Sequence, residues 1–265
     1  MNYKLLAFDL DGTLMRRDLI IPQGAVKAIK KAQKNGIICI IATGRVYSSA
    51  KIFAQKLGIK GPIITLQGAL IKEVQSGKEI FYKPISKTTA LKIIDLTRKL
   101  KLQALMNIKG RVLVENQTPE LEIYKNITLS NIEFVDDFKK HLKEAPTKFM
   151  IMSYDQGLID KTEKRFHKEL GKKINLFKSL PRFLEIVDIK ADKGAALALL
   201  CKRLGVKKEE VIAVGDNHND ISMIKWAGLG VAVEDAPVEV KKHADFITAK
   251  VENSGIAKVV EKFLL

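Results

Sequence analysis

Residues 37–42, Ile-Ile-Cys-Ile-Ile-Ala, run six positions without a polar side chain. Successive side chains of a strand point to opposite faces, so a strand that is apolar throughout must be covered on both. Parallel sheets meet that demand, because their crossover connections lay helices on each face. Five further short apolar runs lie toward the two ends of the chain, at 5–8, 63–66, 211–214, 230–233 and 246–248. Helical patterns alternate with them at 22–34, 46–57, 193–204, 219–227, 238–243 and 255–264. Pro22 opens the first helix, Gly36 follows its end, and Gly58 stops the second. The alternation predicts an α/β fold with a parallel sheet between helices.

The middle third reads differently. Two strand-like stretches around Ser76-Gly77 suggest a hairpin that ends near Pro84. Beyond it, residues 84–184 are rich in Lys and Glu. They carry two helical patterns (88–100 and 160–170) and shorter strand-like pieces at 104–107, 111–114 and 149–153. This predicts a small α+β domain at 84–184 inserted into a discontinuous core domain built from 1–83 and 185–265.

With 265 residues, 46% of them hydrophobic, the chain can bury a substantial core. Asp9 interrupts the first apolar run before it could act as a signal-peptide core, and no run approaches the ~20 residues of a membrane span. Cys39 and Cys201 form no CxxC pair and suit a reducing compartment. A cytoplasmic protein without a membrane partner is expected, as monomer or homodimer. The net charge of +16 raises the question of nucleic acid. However, residues 84–184 hold 20 Lys+Arg against 12 Asp+Glu and the remainder 26 against 18, so the excess is spread evenly. Lys27, Lys30, Lys31 and Lys34 read as a solvated helix face, with Val26, Ile29 and Ala32 turned inward. No nucleic-acid partner is expected, although the charge favours small anionic ligands.

Four segments carry candidate chemistry. Asp9-Leu10-Asp11-Gly12-Thr13 follows the first strand. Its two carboxylates lie on one side of an extended chain, Leu10 points into the core, and Gly12 permits a sharp turn. Two adjacent acids repel, and a divalent cation resolves the repulsion; oxygen-only ligands favour Mg²⁺ over zinc or copper. Thr43-Gly44-Arg45 follows the strand at 37–42, and Gly215-Asp216-Asn217-His218-Asn219-Asp220 follows the strand at 211–214. Lys193-Gly194 opens a helix. Each segment alone has a plainer reading: Asp-Gly is a common turn, Thr-Gly opens many helices, most lysines are solvated, and an Asn-rich loop can simply cap a helix. Together they acquire a different meaning, because three of the four sit at the carboxyl ends of parallel strands, where open α/β sheets bind ligands. HExxH, GxxxxGK[ST] and GxSxG motifs are absent, and Gly228-Leu229-Gly230 lacks the third glycine of a dinucleotide loop.

The set fits phosphate-ester chemistry, which requires charge neutralisation and in-line attack. Mg²⁺ held by Asp9, Asp216 and the Asp11 main-chain carbonyl would cancel part of the charge, and Lys193 would add a fixed cation. The Thr43 hydroxyl and Gly44 amide suit phosphate oxygens at a helix N-terminus. Asp9 would attack phosphorus, and Asp11 would protonate the leaving oxygen and then activate water. Asn219 would hydrogen-bond the phosphate or Asp9. Asp220 would orient Lys193 or a metal-bound water, and Thr13 would add support. His218 reads as a loop side chain facing solvent or substrate.

These segments resemble the haloacid dehalogenase phosphohydrolase superfamily, in particular its Cof-type members with a type IIB cap. The resemblance extends over nearly the whole chain, including Glu185-Ile186 and Asn253-Ser254-Gly255-Ile256-Ala257. It implies a Rossmann-like, doubly wound core with the cap at 84–184 setting substrate specificity. It also implies Asp9 as nucleophile, Asp11 as acid/base, and Asp9, Asp11 and Asp216 as the Mg²⁺ site. Thr43, Gly44, Lys193 and Asn219 would hold phosphate, and Arg45 would bind the substrate with them. The implied activity is hydrolysis of small phosphate monoesters, often sugar phosphates. A phosphomutase or phosphotransferase on the same scaffold is the alternative, and a non-catalytic nucleic-acid binder is the remote one. Two positions depart from the family: Gln67-Gly68-Ala69 where Asn-Gly-Ala is common, and Glu234-Asp235-Ala236 where Asn-Ala is frequent. Neither is expected to touch the chemistry.

Overall fold

A computed structural model of the chain describes residues 3–16, 18–128, 131–180 and 182–265. The chain begins with β1 (Leu5–Phe8), α1 (Gln23–Lys34), β2 (Ile38–Ile41), α2 (Tyr47–Lys56), β3 (Pro62–Thr65), β4 (Leu70–Glu73) and β5 (Glu79–Tyr82). Its middle adds α3 (Lys87–Lys99), β6 (Gln103–Ile108), β7 (Arg111–Val114), α4 (Pro119–Thr128), β8 (Ile132–Phe134), β9 (Lys148–Met152), α5 (Gln156–Leu170), β10 (Ile174–Leu180) and β11 (Phe183–Asp188). It closes with α6 (Lys193–Leu204), β12 (Val211–Gly215), α7 (Ile221–Trp226), β13 (Leu229–Val233), α8 (Val238–Lys241), β14 (Phe246–Thr248) and α9 (Gly255–Phe263). These elements form two compact units, Met1–Arg45 with Ala50–Phe81 and Asp192–Leu265, and Val46–Ser49 with Tyr82–Ala191.

The first unit contains a five-stranded parallel sheet in the order β14-β13-β12-β1-β2. β1 is an interior strand between β12 and β2, with Phe8 opposite Val214 of β12 and Ile41 of β2. All four β1 residues are fully buried, as their apolar run requires. Leu5 and Ala7 share one core with Ile40 and with Leu197 and Leu200 of α6. Each leucine or isoleucine among them contributes about 1.5–3 kcal/mol by leaving water. α6 starts sharply because the Asp192 side chain accepts a 2.8 Å hydrogen bond from the Ala195 amide. It ends at Gly205, which is in the left-handed region (φ 68°).

In the second unit a six-stranded sheet runs β10-β11-β9-β6-β7-β8. Met106, Phe149, Ile151, Leu184 and Ile186 pack with Ile93 and Ile94 of α3 and with Ile159 and Phe166 of α5. The alternate positions of the same strands include Lys148 and Glu185, a buried ion pair at 2.9 Å.

The structure departs from the sequence reading in several places. β3 pairs antiparallel with β4 in a second sheet, β3-β4-β5, and adjoins the parallel sheet through a parallel Ala42–Ile64 bridge, a hydrogen bond from the Thr43 amide to the Ile64 carbonyl, and a shared core. Leu66, read as strand, turns left-handed (φ 53°). The helix read at 219–227 divides into a short tight turn at His218–Asp220 and α7, because Asp220 is held by backbone amides and does not continue as a helical surface residue. α5 begins at Gln156, four positions before the reading, with Asp155 as its cap. α4, β8 and β10 have weak periodicity and escape the sequence reading. The boundary read at 184/185 falls inside β11, which pairs with β9 and β10. Among the described residues no helix is long and apolar enough to cross a membrane.

Candidate active site

Asp9 directly follows β1, and its amide donates to the Val214 carbonyl at 3.1 Å, so the parallel register continues one residue beyond the strand. Asp216 directly follows β12 on the neighbouring strand. The register of the two strands therefore brings together acids about two hundred residues apart in sequence. Oxygens of Asp9, Asp216 and Asp220 lie within 4.8 Å of one another, and this acidic group is fit for a cation among the described residues.

Lys193, the first residue of α6, is fully buried among them. Its Nζ donates to Asp9 Oδ1 at 2.8 Å and to Asp220 Oδ1 at 2.6 Å. Of the two partners read for Asp220, Lys193 is thus in direct contact. Asp220 Oδ2 accepts from the amides of Asp216 (3.0 Å) and Asn217 (3.1 Å), which fixes the loop after β12. With both oxygens engaged, Asp220 supports the cluster, while Asp9 and Asp216 are better placed to offer oxygens to a cation. The Thr13 hydroxyl donates to Asp216 Oδ1 at 2.7 Å. Gly12 has φ 85°, and a β-carbon there would overlap the Asp216 carboxylate. Its glycine therefore serves both the turn expected from sequence and a close approach that the sequence does not reveal.

The electrostatics follow from burial. Desolvation raises the Asp9 carboxyl from 3.8 to about 7; Lys193 opposes the rise, and Asp220 and Asp11 add to it. Desolvation also raises Asp216 well above the ordinary range, reinforced by Asp220 and Asp9. For Lys193, burial works against the ammonium, but Asp220 and Asp9 outweigh it and the net direction is upward. One lysine thus offsets only part of the charge of three clustered acids. The hard oxygen donors and this deficit of positive charge fit an added divalent cation.

The remaining candidates are placed as follows. Asp11 is half exposed, and Arg45 grips it with two bonds, Nε to Oδ2 at 2.7 Å and Nη2 to Oδ1 at 2.6 Å. Arg45 is buried and lies 5.3 Å over the Phe53 ring, so the residue read for substrate contact is a partner of Asp11. The buried Thr43 hydroxyl accepts from the Arg45 amide at 3.2 Å, and the Thr43 amide donates to Ile64 O. Gly44 lies between them, just before α2. Asn219 is buried, and its Nδ2 donates to Gln67 Oε1 at 3.0 Å. Gln67 therefore does touch the candidate residues, contrary to the sequence reading. Its left-handed backbone (φ 58°) brings it inward, and nothing in the local pattern signals that. Glu234 and Asp235 are exposed beyond β13, and His218 is exposed as well.

Comparison with known proteins identifies the family. The family model of haloacid dehalogenase-like hydrolases matches residues 6–260. A 5-amino-6-(5-phospho-D-ribitylamino)uracil phosphatase of Bacillus subtilis is 30% identical, over 100% of this chain and 97% of its own. A phosphoglycolate phosphatase of Methanobrevibacter smithii is 29% identical over the full length of both chains. The crystal structure of a haloacid dehalogenase-like hydrolase from Bacteroides thetaiotaomicron superposes with a TM-score of 0.90 at 31% identity, covering 98% of this chain and 99% of that one. With the acid cluster at the strand ends and the family model spanning nearly its whole length, the chain belongs to the haloacid dehalogenase-like hydrolase family.

Proposed function

We propose that the protein is a phosphatase that hydrolyses phosphate monoesters of small metabolites, sugar phosphates foremost, through an aspartyl-phosphate intermediate. The observation that carries the reading is the group of buried Asp9, Asp220 and Lys193 with half-buried Asp216 at the carboxyl edge of the parallel sheet. Phosphatase relatives of full-length coverage support the reaction class and a small phosphorylated substrate. Hydrolases of this family generally use a divalent metal, and oxygen-only donors favour Mg²⁺ here. Bound by Asp9, Asp216 and the Asp11 carbonyl, Mg²⁺ would neutralise charge on the phosphoryl group.

The chain's own residues then have distinct tasks. Lys193 holds Asp9 in place and adds positive charge beside the phosphoryl group. An Asp9 oxygen attacks phosphorus while the ester P–O bond breaks, and the leaving oxygen takes a proton from Asp11. Asp11 next accepts a proton from water, whose oxygen attacks the phosphorus of the intermediate. The bond to Asp9 breaks, and inorganic phosphate leaves. The Thr43 hydroxyl, the Gly44 amide and Asn219 hold phosphate oxygens, and Arg45 orients Asp11. Two buried cysteines without a disulfide support a cytoplasmic location.

The test is phosphate release from p-nitrophenyl phosphate and a panel of phosphorylated metabolites, with and without Mg²⁺. Turnover that requires the metal supports the reading, whereas full activity after chelation overturns it. Isomerised sugar phosphate formed without free phosphate would instead identify a phosphomutase.

A further inference from the structure

We propose that Gln67 is a positioning residue that aims the Asn219 amide at the phosphoryl oxygens; this rests on the phosphatase reading of the site. Gln67 lies in the loop between β3 and β4, where Leu66, Gln67 and Gly68 have φ values of 53°, 58° and 91°. Two of these are non-glycine residues in the left-handed region, a conformation that persists only where surrounding contacts hold it. Several such contacts lie at the candidate site. The Leu66 amide donates to the Arg45 carbonyl at 3.0 Å, and the Gln67 amide donates to the Thr43 carbonyl at 3.2 Å. A β-carbon on Gly68 would overlap the backbone of Asp192, the cap of the helix that carries Lys193. The Gln67 side chain, fully buried, meets Asn219. One strained loop thus joins the segments bearing Thr43, Lys193 and Asn219.

The amide contact itself shows what the link does. Asn219 Nδ2 donates to Gln67 Oε1, while Asn219 Oδ1 is buried without a hydrogen-bond partner among the described residues. A buried amide acceptor left unsatisfied is costly. Terminal amide torsions have two broad, opposite settings. Turning both amides over keeps the contact with roles exchanged: Gln67 Nε2 donates to Asn219 Oδ1. Asn219 Nδ2 then becomes the unpaired group, a donor suited to an anionic phosphoryl oxygen. Bound phosphate satisfies that donor, and Gln67 satisfies the acceptor. Only a side chain able both to donate and to accept can serve the two settings.

The experiment is a double-mutant cycle of Gln67→Met with Asn219→Ala, read as the inhibition constant of inorganic phosphate and as kcat and KM for p-nitrophenyl phosphate. Gln67→Met conserves length but cannot hydrogen-bond. It is expected to weaken phosphate binding about ten-fold, the size of one lost hydrogen bond to a charged group. It should add nothing in the Asn219→Ala background, and Gln67→Asn, an amide that tolerates the left-handed backbone, should recover part of the loss. Phosphate affinity unchanged in a Gln67→Met protein that melts normally would overturn the proposal, as would effects that multiply in the double variant. If Gln67→Met fails to fold, Gln67→Glu gives the second reading. Its carboxylate can only accept and should lock Asn219 in the setting with Nδ2 consumed, so undiminished phosphate binding there overturns the proposal. A wild-type protein that neither hydrolyses esters nor binds phosphate would remove the phosphatase reading itself; a competent wild type with indifferent variants would remove only the role of Gln67.

Discussion

Lys193 Nζ lies 2.6 Å from Asp220 Oδ1 with both side chains wholly excluded from solvent, and the same ammonium reaches Asp9 Oδ1 at 2.8 Å. A single cation at the start of α6 thus ties together the loops after β1 and β12. Replacing it strands two buried carboxylates. Lys193→Met should cost about 3–5 kcal/mol, the scale for removing one partner of a buried ion pair. Urea unfolding of the metal-free protein measures this directly. An unchanged midpoint would show that the pair contributes nothing to the fold.

Asp9→Asn should separate chemistry from structure. The amide keeps the volume of the carboxyl but cannot form the covalent intermediate, so turnover of p-nitrophenyl phosphate should drop by at least about 1,000-fold. Burial already disfavours the Asp9 charge, raising its carboxyl to about 7. A neutral replacement should therefore leave thermal unfolding close to that of the wild type. Residual turnover near the wild-type rate would exclude Asp9 as the nucleophile.

Arg45 and Asp11 make a second test. The two-bond grip, with Arg45 stacked over Phe53, fixes the plane of the Asp11 carboxylate. Lysine at this position supplies charge but not the planar fork. Arg45→Lys should lower kcat about 10-fold or more while KM moves little, because proton transfer depends on where Asp11 points. A change confined to KM would mean that Arg45 meets the substrate, as the sequence reading had it.

Much of this was legible before any coordinates. The uninterrupted apolar run at 37–42 implies a sheet covered on both faces, and three of the four polar segments read as lying at its carboxyl edge. The strand order is not in the sequence pattern; the structure supplies it, and the pairing of β1 with β12 is what sets Asp9 beside Asp216. Other features lay beyond local pattern. Gln67 gave no sign of its inward turn, because its left-handed backbone is imposed by Thr43, Arg45 and Asp192. The grip of Arg45 on Asp11 is not visible in the sequence, because the two residues lie 34 positions apart. Strands such as β8, with three residues and little alternation, owe their pairing to neighbours and not to their own residues.

Metal binding should depend on pH with a defined sign. In the metal-free protein Asp9 is raised from 3.8 to about 7, chiefly by burial, and Asp216 is raised as well. A carboxyl raised by folding contributes stability below its unfolded value, and that contribution is lost as pH rises through the folded value. The same shift means that Mg²⁺ must displace protons below about pH 7, so its apparent affinity should fall by up to ~10-fold per unit of acidification there. Calorimetric titration in buffers of different ionisation enthalpy should detect more proton release at pH 6 than at pH 8. Affinity independent of pH over that interval would contradict the raised carboxyl of Asp9.

Gly12→Ala should injure the cation site without touching any acid. Gly12 has φ 85°, where an L side chain is strained, and an added β-carbon would overlap Asp216 Oδ2. Asp216 cannot retreat freely, because Thr13 holds its Oδ1 at 2.7 Å and Asp220 holds its amide at 3.0 Å. The substitution should therefore displace the carboxylate and cost about 1–3 kcal/mol in backbone strain. Asp9 and Lys193 stay on their own elements, so the predicted signature is selective: Mg²⁺ affinity falls at least about 10-fold, whereas a Lys193 variant loses stability first. The comparison needs Mg²⁺ titrations and unfolding curves of both proteins. If the alanine variant binds the metal as the wild type does, Asp216 is not the carboxylate that holds it.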